Sequence, residues 1–278
     1  MLIWLPVPLL AAVAALLALR ACDARDDRAE WRRLLRCQPA DDIPFEPAEI
    51  LALPEPARRY FTFAIAPGTR LRTVAEIRMG GRFGMGTRFR PGYRAMRAEQ
   101  VLATPHGFVW RMRNTGLPWL SGSDSGHWTR FRLFGLLPVA RLGGTRDHAR
   151  SAFGRHVAEA VLWCPAALLP RFGARWEATG TDTARITLGA EHLEQAVDIT
   201  VDGDGRPLSV RFARWSNANP ERAWRLQPFG ALPDDFREVA GYRLPFRVDA
   251  GNQFGTPDYF PFFRAEVRTI RFPEPPGP

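Results

Sequence analysis

The segment Ser121-Gly-Ser-Asp-Ser-Gly-His127 gathers hydroxyls, a carboxylate and an imidazole in one short stretch, the ingredients of acyl transfer. A nucleophile elbow needs a serine midway between two glycines at a strand-to-helix turn, and Asp124 occupies that place instead. Ser123 or Ser125 would sit too close in sequence to His127 to face it squarely. The segment therefore reads as a polar loop between strands, with Asp124 as a carboxylate able to orient a polar group of a ligand. A second set lies downstream, where Ser151, Arg155 and Glu159 recur at helical spacing and His156 sits one residue further round. The plain reading is an exposed Arg155–Glu159 ion pair. The chemical reading turns this row toward a cavity, with Glu159 or Asp124 as acid–base and His156 or His127 assisting.

Other motifs point away from chemistry. Gly81-Arg-Phe-Gly84-Met-Gly86 has the wrong spacing for a dinucleotide fingerprint, so its glycines read as room on a curved sheet. No HExxH, carboxylate-rich cluster or phosphate loop is present, and the histidines are scattered, so no cofactor or metal is expected. Cys22, Cys37 and Cys164 lack the spacing of a zinc site or disulfide framework. Aromatic residues are more telling. Trp110, Trp128 and Trp163 fall in predicted strands and the central helix, where they serve as core or as the walls of an apolar pocket.

The elements that must position these residues are mostly strands. From Arg70 the apolar period is two: Leu71, Thr73, Ala75, Ile77 and Met79 share a face, and Gly80-Gly81 signals a hairpin. Phe83 to Phe89, Tyr93–Leu102 and Phe108–Met112 extend an antiparallel meander, followed by His127–Leu133 and Pro138–Leu142. One helix runs from about Arg146 to Trp163, with Phe153, Val157, Ala160 and Val161 as its apolar face. Arg175–Ala178, Thr183–Leu188, Leu193–Val201, the Leu208/Val210/Phe212 alternation, Tyr242–Val248 and Phe262–Phe272 are further strands. The expected fold is mainly β (α+β): a curved antiparallel sheet or half-open barrel, with one central helix and short N-terminal helices.

Charge and the N-terminus bound the partners. The net charge is +9, yet every one of the 38 basic residues is arginine, and they are spread along the whole chain. Selection for phosphate contacts would also recruit lysine, so composition bias explains this better than nucleic-acid binding, and no nucleic-acid partner is expected. Leu2–Leu19 is uncharged and is followed by Arg20, Arg25, Arg28, Arg32, Arg33 and Arg36. This predicts a single-pass membrane anchor or uncleaved signal over residues 1–20, with the rest of the chain on the cytoplasmic side by the positive-inside rule. Residues 21–52 read as a charged, proline-rich linker with short helices, and residues 53–273 as one β-rich domain.

Five segments carry a resemblance. Leu53-Pro-Glu-Pro-Ala-Arg-Arg-Tyr60, Gly107-Phe-Val-Trp110, Ser151-Ala-Phe-Gly-Arg155 with Glu159, Trp163-Cys-Pro-Ala-Ala-Leu-Leu-Pro170 and Ala250–Phe263 together resemble an uncharacterised bacterial family with a domain of unknown function, the DUF6544-type family. The resemblance covers approximately Leu53 to Phe272 and brings no catalytic residues. It implies a fold similar to that of lipoprotein carriers, a half-open antiparallel barrel holding acyl chains under a helix. The expected function is a membrane-tethered, non-enzymatic module binding a lipid or other apolar ligand; an enzyme on a membrane-derived substrate and a membrane-associated scaffold are the alternatives. Trp110, Trp128, Trp163 and Tyr259 are the expected walls, with Asp124, Arg155, Glu159 and Asn252 as polar contacts.

Overall fold

Apolar residues at every second position, sustained through strand after strand, give a sheet one apolar face that must be covered. The computed structural model describes residues 6–275. Its N-terminal quarter holds helix α1 (Pro6–Leu35), a short 3-10 turn at Pro47–Ile50 and helix α2 (Glu55–Ala64). Six strands follow: β1 (Val74–Gly84), β2 (Tyr93–Ala103), β3 (Gly107–Asn114), β4 (Leu120–Ser125), β5 (Trp128–Leu133) and β6 (Leu137–Gly143). After helix α3 (Arg146–Trp163) come β7 (Arg175–Ala178), β8 (Thr183–Ala190), β9 (Leu193–Val201), β10 (Pro207–Ser216), β11 (Arg225–Val239), β12 (Tyr242–Asn252) and β13 (Phe260–Arg271).

All 13 strands form one open antiparallel sheet in the order β6-β5-β4-β3-β2-β1-β13-β12-β11-β10-β9-β8-β7. Because β1 pairs with β13, the two meanders lie side by side and the free edges are β6 and β7. Helix α3 links those two edges, so the chain can only carry it across the sheet. The expected curved sheet with one central helix is what forms. Thr145 caps α3 by accepting the His148 N–H at 3.2 Å, and Pro165 follows its end. Its Phe153, Val157, Ala160 and Val161 enter a core with Ile77, Leu102, Phe108, Ile199, Val210 and Leu244.

The other face of the sheet is partly covered too. Leu34 of α1 packs with Val74, Val101 and Val109 in a second, smaller core, and the Trp31 indole donates to Glu76 at 3.0 Å. The expected membrane anchor over residues 1–20 is not what the structure has. Among the described residues no helix is long and apolar enough to cross a membrane. In α1 the uncharged stretch ends at Leu19, and charges recur from Arg20 to Arg33. Residues 1–5 of the expected anchor lie outside the described residues. The single-pass localisation and the cytoplasmic side inferred from it fall together.

Three further expectations need correction. Gly80-Gly81 is no hairpin turn: β1 runs straight through it, and residues 85–92 form the connection where a strand was expected. Gly81 (φ 129°) lies so close to β13 that an added Cβ would stand 2.0 Å from the Arg264 carbonyl oxygen. Close strand approach, not turning, explains this glycine. The Ser121–Ser125 stretch is strand β4, not a loop. Its residues are poor strand formers, but pairing on both sides to β3 and β5 overrides that preference. Strand β11 was invisible because Pro228 and Pro233 interrupt it, and both nevertheless sit in register with neighbouring strands.

Candidate functional site

Between α3 and the concave face of the sheet lies a cavity of about 170 Å³. Its walls come from alternate positions of many strands, among them Phe83, Phe131, Phe212, Phe229, Phe262 and Phe263, with Ala158, Leu162 and Trp163 from α3. Curvature brings these side chains together, and the large aromatics hold the space open because their rings cannot collapse into one another.

One end of the cavity is polar. The Arg155 Nη1 donates to Asp124 Oδ2 at 2.6 Å and its Nε donates to Glu159 Oε1 at 2.6 Å. The second oxygen of each carboxylate is also occupied, by the Thr129 hydroxyl on Asp124 and the Gln100 amide on Glu159. The Arg155 guanidinium stacks over the Phe108 ring at 4.6 Å. Burial works to lower its proton affinity, but the two adjacent carboxylates outweigh that and leave it above the ordinary arginine value.

Arg214 also lines the cavity, stacked 5.0 Å over Phe229. No carboxylate comes within ion-pair distance of it among the described residues, and its buried Nε has no hydrogen-bond partner. Burial, reinforced by the charge of Arg155, pushes its guanidinium down to about 10, still well above neutral. The Trp110 indole N–H is the second buried donor without a partner. The cavity is thus an apolar chamber with a saturated ion network and two unused donors at its walls.

Five of the eight expected ligand contacts meet here: Trp110, Trp163, Asp124, Arg155 and Glu159. Three do not. Trp128 is on the opposite face, donating its indole N–H to Ser123 and lying under the Arg130 guanidinium. The Tyr259 hydroxyl donates to the Asp249 carbonyl, with its ring against Phe254, and Asn252 pairs in the sheet with Phe229 and Phe260. Neither lines the cavity. Alternation within β4 explains the split of the serine-rich motif. Asp124 points inward, whereas Ser123 and Ser125 point outward, where their hydroxyls accept the Trp128 indole and the His127 and Trp128 backbone N–H groups.

The two histidines are also apart from the chamber. His127 is exposed, with its Nε2 3.8 Å from Glu30. His156 is buried and shares a hydrogen bond of 3.0 Å with the Thr104 hydroxyl. Burial first, and then the positive charges of His106 and Arg155, push it down to about 3. The unfolded chain therefore takes up a proton near the ordinary histidine value of about 6.5, while the folded chain does not. Stability from this group is complete above that value and is lost as pH falls from about 6.5 toward about 3. Urea unfolding at pH 7 and about pH 5 is expected to show a slope of up to about 1.4 kcal/mol per pH unit, which His156→Gln should reduce. An unchanged slope in the variant would contradict a buried neutral imidazole.

Gln100 and Arg214 were missed in the sequence, although a signal was there. Both occupy the apolar phase of their strands, Arg214 two residues beyond the Val210/Phe212 pair and Gln100 between Ala98 and Leu102. A polar residue in that phase must face the core or a cavity.

Comparison with curated proteins found no match. Among solved structures the chain is similar to a LolA superfamily protein from Nitrosomonas europaea, at 11% identity and a TM-score of 0.43, over 80% of this chain and 93% of that one. It is also similar to a domain described as an outer membrane lipoprotein-sorting protein from Vibrio parahaemolyticus, at 11% identity and a TM-score of 0.37, over 72% and 85% of the two chains. The resemblance carried by the five sequence segments is confirmed, because residues 44–265 match DUF6544, a family of unknown function, and the chain belongs to that family.

Proposed function

We propose that the protein is a binding module whose α3 cavity takes a small apolar ligand, or the apolar part of a lipid, bearing one uncharged hydrogen-bond acceptor. The carrying observation is the pairing of aromatic walls with two buried, unused donors, Trp110 Nε1 and Arg214 Nε. An apolar cavity of about 150 Å³ accepts benzene, so this chamber suits a ring or a short acyl stretch without rearrangement. Charge selects the acceptor. Arg155, Arg214, Asp124 and Glu159 at the wall already sum to zero charge, so a ligand carboxylate would add a net buried charge, at a cost of several kcal/mol. An ester or ketone oxygen takes both donors without that penalty. Each carboxylate at the wall is held by Arg155 and a second partner, which favours binding over acid–base work.

Titration calorimetry of the full chain with methyl hexanoate and with hexanoate at neutral pH tests this reading. The ester is expected to bind about tenfold or more tighter than the acid, since an unmatched charge costs more than the 1.4 kcal/mol per decade. In Ala158→Trp the indole fills space that Ala158 now borders, and binding of both should vanish. Tighter binding of the acid would overturn the charge assignment. Binding that survives the filled cavity, or no binding by the wild type, would overturn the site.

A further inference from the structure

On the convex side of the sheet, away from the α3 cavity, α1 and the outer face of β13-β1-β2-β3-β4-β5 enclose a groove of about 470 Å³. Seven arginines and three carboxylates line it, an excess of four positive charges. Two of the carboxylates are committed. Asp23, buried on α1, is held by Arg130, Arg132 and Arg141, and Glu99 pairs with Arg111 at 3.5 Å. Asp27 accepts the Ser123 hydroxyl at 2.8 Å, and burial holds its carboxyl above the ordinary value. Arg20, Arg78, Arg97, Arg113 and Arg268 have no carboxylate within 4.0 Å among the described residues.

The arrangement is built into the strands. Arg97 and Arg113 stand directly opposite each other in the β2–β3 ladder, where like charges are destabilising unless something lies between them. The β1–β13 register slips at Arg78/Met79, so Arg268 is the extra residue of a bulge, a device that re-aims a side chain. Its guanidinium lies over Gly80, where an added Cβ would stand 3.2 Å from Arg268 Nη2. Gly80 is opposite Arg97, so the bulge and the missing side chain turn Arg268 into the same groove. In the groove floor, the buried Nε atoms of Arg111 and Arg132 also lack partners. Composition bias supplies arginines anywhere; it does not place five unpaired ones around buried, unused donors.

We propose that this groove binds a phosphate-bearing ligand carrying two or more negative charges, such as a pyrophosphate or a phosphomonoester. Guanidinium groups suit phosphate because each offers two parallel N–H donors to its oxygens. The volume exceeds what a single phosphate needs, leaving space for the group it is attached to. This site is independent of the α3 cavity and stands or falls separately.

Calorimetry of the full chain with inorganic pyrophosphate, and flotation with vesicles containing phosphatidic acid, distinguish a free phosphate from a lipid headgroup. Affinity should fall with added salt, as expected for exposed charges. The double variant Arg97→Ser/Arg113→Ser is expected to lose about tenfold or more in affinity while its melting temperature holds or rises, because the opposed charges are gone. Arg268→Gln, on a different strand, should weaken binding in the same direction. Arg90→Ser, on the connection between β1 and β2, removes one charge outside the groove, as many as Arg268→Gln removes within it, and should change nothing. Loss of pyrophosphate binding in the groove variants assigns a free phosphate ligand; loss of vesicle binding alone assigns a headgroup. Neither probe bound by the wild type, or affinities that the groove variants leave unchanged, would overturn the proposal.

Discussion

Arg155→Met is expected to cost about 3–5 kcal/mol of folding stability. The guanidinium serves Asp124 and Glu159 at once, with all three side chains no more than 17% exposed. Methionine fills similar volume but leaves two carboxylates facing each other without the cation that bonds both. Urea midpoints for wild type and variant at pH 7 give the test. A loss below about 1 kcal/mol would mean that the network is solvated like a surface pair.

Arg214→Met should act in the opposite sense on stability and cost binding instead. The Arg214 guanidinium is buried without an ion pair, and its depressed proton affinity shows that the fold disfavours its charge. It stays charged in folded and unfolded chains throughout the neutral range. The penalty is therefore constant with pH, and is relieved only as pH rises past about 10 toward the unfolded value. Removing the charge is expected to raise stability by on the order of 1–4 kcal/mol. Affinity for methyl hexanoate should fall about 10- to 100-fold, the worth of a hydrogen bond from a charged donor. A variant both less stable and equally able to bind the ester would assign Arg214 a purely structural role.

These opposing effects also show what was legible in the sequence. Period-two alternation exposed most strands, and helical spacing located α3, because both follow directly from burying one face. The same logic placed Trp110, Trp163, Arg155 and Glu159 near a common cavity. It failed where pairing overrode local preference: Ser121–Ser125 became a strand between two others, and β11 kept its register through two prolines. Trp128 was misplaced because an aromatic on a sheet covered on both faces gives no hint of which face it joins. The anchor was misread because its apolar stretch continues without a break into the charged helix that packs on the convex face. Arg268 could not have been found, since only the register slip beside Met79 turns it toward the groove.

The most direct measurement is a heteronuclear NMR titration of the full chain with methyl hexanoate, with the Trp110 indole resonance assigned from Trp110→Phe. The expected result is a shift of that indole N–H to the position of a hydrogen-bonded donor, with contacts between the ligand and the methyl groups of Leu162 and Val210. An ester that binds while the Trp110 indole and both methyl-bearing side chains stay unperturbed would contradict the assignment of the α3 cavity as the ligand site.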